Sequence, residues 1–111
     1  MGLNRLAERL EDVPKGHVAT IVTHLEMLAK PALAADSSSL ALERWPDPVV
    51  ADYLALFRKV GEPWLWISRL LMDADDLKAI LHDPAVELSI VRDGQEPVGF
   101  IELDFRVSGE C

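Results

Sequence analysis

The sequence predicts an α+β domain of α/β type, mainly antiparallel strands with two central helices. Three observations predict it: alternating apolar runs flank Asp93-Gly94, a wide apolar helical stripe follows Pro46-Asp47-Pro48, and 111 residues suffice for one domain. Residues 1–111 are therefore read as a single unit. A chain of this size hides roughly 65% of its unfolded surface, enough for one core without disulfides or metal.

In chain order, Leu3, Leu6, Ala7 and Leu10 give residues 3–11 a helical stripe, which Pro14 and Gly16 stop. Residues 17–28 are rich in β-branched side chains. Val18, Thr20, Val22, His24 and Glu26 alternate with Ala19, Ile21, Thr23, Leu25 and Met27, which predicts a strand. After a loop through Ser37-Ser38-Ser39, Leu40, Leu42 and Arg44 alternate with Ala41 and Glu43 in a second strand. The two strands are expected to pair as a long-looped hairpin.

Asp47 is expected to cap the next helix, with Pro48 at its first position, where a missing N–H costs little. Val49, Val50, Tyr53, Leu54, Leu56, Phe57 and Val60 supply the apolar face, ended by Gly61. Ile67, Leu70, Leu71, Leu77 and Ile80-Leu81 resume helical spacing, with Asp73 as an N-cap and an end near His82-Asp83-Pro84. Val86, Leu88 and Ile90, the Asp93-Gly94 turn and the run from Val98 to Val107 then make a β-hairpin. Ile101, Leu103, Phe105 and Val107 share one face of its second strand, and Phe100, Glu102, Asp104 and Arg106 the other.

Nineteen acidic against eleven basic residues leave a net charge of −8, which repels polyanions and argues against nucleic-acid partners. No apolar run is long enough for a membrane span. The single cysteine, Cys111, has no intrachain partner, and a cytoplasmic setting is expected. His24 and Glu26 share a strand face but lack further ligands, so a solvated face is the preferred reading and no metal is expected. Nucleophile-elbow, P-loop and dinucleotide motifs are absent.

Two features carry chemistry. Trp64 and Trp66 crowd a helix-helix connection, either as core anchors or as the walls of a cleft. Glu102 and Asp104 share a strand face. If both were buried each would raise the other's pKa, as a general base requires; on a solvated face they would be ordinary acids.

The order of strand, helix, kinked second helix and hairpin resembles the N-terminal half of the GNAT family of N-acetyltransferases. The resemblance is carried by residues 53–61 (YLALFRKVG), 64–70 (WLWISRL) and 91–104 (VRDGQEPVGFIELD), within a span of about 17 to 107. It implies acetyl transfer from acetyl-CoA to an amine, with Trp64, Trp66 and Arg69 near the acceptor and Glu102 or Asp104 acting through water on the ammonium proton. In that family a Q/R-x-x-G-x-G/A segment at a helix N-terminus holds the CoA pyrophosphate. No such segment occurs here, so the resemblance implies the N-terminal half of a GNAT fold, with an incomplete sheet and without its cofactor-binding half. This chain alone is then expected to bind no acetyl-CoA and to be inactive. An open strand edge would await a C-terminal half or self-association. The alternative from another class is a noncatalytic module that uses this edge to hold a protein partner.

Overall fold

A computed structural model describes residues 11–34 and 38–111. The chain divides into two units, Met1–Ala35 and Asp36–Cys111. In the first, the described residues form no regular helix or strand. A turn at Gly16, φ 82°, closes with the His17 N–H donating to the Pro14 carbonyl at 3.0 Å. The strand expected over residues 17–28 does not form: its side chains are exposed and its backbone joins no ladder. Alternation describes how a strand sits on a partner and does not supply one. The helix expected over residues 3–11 falls almost wholly outside the described residues.

The second unit holds the fold. Its strands are β1 (Ala41–Arg44), β2 (Val86–Asp93) and β3 (Glu96–Asp104); its helices are α1 (Val50–Gly61) and α2 (Ala74–Leu81). The sheet is antiparallel in the order β1-β2-β3. Leu42 pairs with Val91 and Arg44 with Ser89, so β1 finds its partner in β2 rather than in residues 17–28. In the second hairpin the two-residue loop is Gly94-Gln95, where Gly94 takes φ 61°. Tight hairpin turns need that left-handed conformation, and glycine adopts it without steric cost.

The entry to α1 differs from expectation. Asp47 adopts φ 46° and turns the chain, leaving Val49 at the N-cap without a side-chain cap bond. Pro48 precedes the N-cap and is fully buried. Its carbonyl accepts a bond from His82 Nε2 at 2.9 Å, which places a proton on that nitrogen and ties the end of α2 to the start of α1. Asp73 does cap α2, its Oδ1 accepting from the N–H groups of Asp75 (2.9 Å) and Asp76 (3.3 Å). The second helix is shorter than its apolar spacing suggests. The residues before the cap form a separate turn, with the N–H groups of Leu70 and Leu71 donating to the Ile67 carbonyl.

The helices cover one face of the sheet, around a core of Tyr53, Phe57, Leu77, Leu81 and Leu88. Each apolar side chain of this size stabilises the fold by about 1.5–3 kcal/mol when fully buried. The register sets Leu88 opposite Glu102 and Ile90 opposite Phe100, so the face of β3 that carries Glu102 points at the helices. Ile101 and Leu103 remain exposed on the other face. Alternation separated the two sets correctly as far as Asp104, where the strand ends short of the expected Val107, but the more apolar set is the outer one.

Candidate functional site

The Trp64–Ile67 segment is built by the end of α1. A 3-10 turn over Glu62–Trp64 prolongs the helix, and the chain then reverses at Leu65, φ 58° and ψ 37°, whose N–H donates to the Glu62 carbonyl at 3.2 Å. Gly61 does not supply the left-handed residue; its φ is −93°. Its contribution is space. A Cβ at position 61 would lie 2.6 Å from the Cβ of Trp66 and 2.7 Å from its Cε3, so the indole seats directly on the glycine backbone. Gly61→Ala is therefore expected to destabilise by roughly 1–2 kcal/mol, overpacking outweighing the better helix propensity of alanine. A shift in tryptophan fluorescence with a lowered urea midpoint checks this; unchanged stability would contradict the seating.

The two tryptophans separate. Trp64 is 73% exposed, whereas Trp66, 44% exposed, turns one side inward. Its ring centroid lies 5.8 Å from Phe57 and 6.3 Å from Phe100, and Tyr53 and Trp45 extend the aromatic cluster. Trp66 thus anchors the core on one side and is open to solvent on the other.

Arg69 and Glu102 come together. Arg69 Nη2 donates to Glu102 Oε2 at 2.8 Å, with the side chains only 22% and 19% exposed. Arg69 Nη1 lies 3.3 Å from the Met72 sulfur, and the Tyr53 hydroxyl lies 3.4 Å from Glu102 Oε1. Burial lowers the pKa of the guanidinium, but the bond to Glu102 and its charge outweigh this, and the net shift is upward. Asp104 does not join them. It is exposed and paired with Arg106, which donates from Nη2 at 2.7 Å and from its backbone N–H at 3.0 Å. Those bonds hold the Asp104 carboxyl down at about 2. Asp104 is exposed and its pKa is lowered, so it is not one of two buried acids on a shared face.

Tyr53 is the site residue that sequence reasoning missed. It stands 49 positions from Glu102 and read only as part of the apolar face of α1. An inward tyrosine needs a partner for its hydroxyl, and that requirement was the available signal. Burial, then the nearby Glu102 charge, push its pKa up to about 12. The folded state thus holds this proton more tightly than the unfolded chain, whose tyrosine titrates near 10. The resulting stability is complete below pH 10 and is lost as pH rises through about 12. Tyr53 is the only tyrosine, so phenolate absorbance reads it directly. A transition near 12 is expected; one at 10 would mean that the hydroxyl is open to water.

Among the described residues no group of three potential ligands could hold a metal ion, and no helix is long and apolar enough to cross a membrane. Comparison with known proteins adds no identity: no family model, curated protein or solved structure matches this chain.

Proposed function

We propose that residues 36–111 form the acceptor half of an N-acetyltransferase of the GNAT type, with an amine as acceptor. The observation that carries this reading is the Tyr53, Glu102 and Arg69 constellation, with the half-exposed Trp66 packed on the same Phe57 and Phe100 rings that Tyr53 meets. The element order β1-α1-α2-β2-β3 follows the implied order over residues 41–104 and supports it, although the strand expected at residues 17–28 does not form. No residues here fit the CoA pyrophosphate, because the sequence lacks the Q/R-x-x-G-x-G/A segment. In this reading acetyl-CoA is held by a C-terminal GNAT half, outside these residues.

The roles of this chain concern the amine. Glu102, held by Arg69, takes the ammonium proton through water, and Tyr53, protonated at neutral pH, keeps that carboxylate in place. Trp66 walls the acceptor, Trp64 lies at the margin, and Asp104 has no part. The test is release of CoA thiol from acetyl-CoA by the chain mixed with a C-terminal GNAT half, across a panel of amines. Amine-dependent release that falls by about 10²-fold or more with Glu102→Gln is expected. Release indifferent to that substitution would overturn the assignment.

A second reading is favoured by one specific observation. β3 is an edge strand, and Leu42, Ile101 and Leu103 lie exposed on the sheet face away from the helices. A noncatalytic module that docks a protein partner there would use this apolar surface. Sedimentation separates the readings: a defined complex indifferent to CoA favours the module.

A further inference from the structure

A groove of about 280 Å³ beside the Leu65 reversal shares Trp66 with the proposed acceptor site but is lined neither by Tyr53, Arg69 and Glu102 nor by the open sheet. Leu65, Trp66, Ile67 and Leu70 form its apolar wall, and Arg58 and Glu62 stand at its rim. Its volume lies near the lower limit of about 300 Å³ for small-molecule sites, so it has room for little more than one side chain.

The rim is unusual in its charges. Arg58 and Glu62 are one helical turn apart, a spacing at which opposite charges normally meet. Yet neither enters any of the ion pairs or side-chain hydrogen bonds among the described residues. The order is the poorer one, base before acid, and Glu62 follows a helix C-terminus, where the macrodipole disfavours a carboxylate. Two opposite charges thus stand one helical turn apart, exposed and without a side-chain partner among the described residues, at a groove with an apolar wall.

We infer that this groove binds a free apolar α-amino acid. The carboxylate and ammonium of such a ligand spring from one carbon, so a single molecule reaches both rim groups while its side chain lies on Trp66 and Leu70. Arg58 offers the carboxylate two parallel N–H donors, and the ammonium donates to Glu62 beside the indole face. A ligand bearing only one charge would be attracted by one rim group and repelled by the other. The zwitterion is also neutral overall, so the charge of −8 does not oppose its approach. The inference does not rest on the acetyltransferase reading, although both place Trp66 against a ligand and a bound amino acid would present an acceptor amine.

The test needs no acetyl-CoA, so its failure leaves that reading untouched. L-phenylalanine is titrated into the full chain and the indole N–H resonances are followed by NMR. Saturable shifts at one indole are expected, with N-acetyl-L-phenylalanine and L-phenylalaninamide at least about tenfold weaker, because each leaves one rim charge unanswered. Arg58→Gln and Glu62→Gln should each weaken binding by about fivefold or more with the remaining spectrum unchanged. No saturation by about 20 mM, analogues that bind as well as the amino acid, or rim variants that bind like the parent would overturn the inference.

Discussion

Leu77→Ala is expected to lower the unfolding free energy by about 2–5 kcal/mol, the largest single effect among the substitutions considered. Leu77 is 1% exposed and belongs to the cluster with Tyr53, Phe57, Leu81 and Leu88 that joins both helices to β2. Truncation removes its transfer free energy and leaves a cavity lined by stiff aromatic rings, which collapse poorly around it. Small domains are stable by only about 5–15 kcal/mol, so the variant should unfold at a much lower urea concentration with a similar slope. A loss below about 1 kcal/mol would mean that α2 does not pack on the sheet as described.

Arg69→Met should cost about 1–3 kcal/mol at neutral pH. The substitution keeps an apolar stem of similar length but takes the counter-charge from Glu102, leaving a largely desolvated carboxylate with only the Tyr53 hydroxyl at 3.4 Å. The loss falls below the 3–5 kcal/mol typical of fully buried pairs because both side chains retain some contact with water. Adding Glu102→Gln to the same chain removes the stranded charge. The double variant should therefore recover most of the stability, and a double-mutant cycle measures the coupling. Additive losses would show that the pair contributes packing and little electrostatic coupling.

The second hairpin was legible because its signals agree: alternation on both sides, a glycine at the turn, and strands long enough to pair. The Asp73 cap was legible for a similar reason, since a short side-chain oxygen before an apolar helical stripe has one economical use. Residues 17–28 show the limit. Their β-branched alternation is as regular as that of β2, but strand pairing depends on a partner that local sequence does not name. The direction of β3 was hidden in the same way. Its more apolar face points outward, and only the register against Leu88 and Ile90 shows that Phe100 and Glu102 face the helices.

For the site, Arg69, Glu102, Trp64, Trp66 and Asp104 were all singled out, but their grouping was not legible. Arg69 and Glu102 are 33 residues apart and meet only because α1, the Leu65 reversal and β3 converge. Asp104 is drawn away by Arg106, a neighbour two residues on that the alternation pattern had placed on the same face. The Gly61 seat for Trp66 was also unreadable, since a glycine ending a helix usually signals a left-handed cap.

Calorimetric titration with acetyl-CoA tests most directly the proposal that this chain is an acceptor half whose cofactor is held elsewhere. No saturable micromolar binding by the 111-residue chain is expected, and binding is expected once a C-terminal GNAT half is added. Saturable micromolar binding by the chain alone would contradict it, because a CoA site would then exist among residues that provide no pyrophosphate segment.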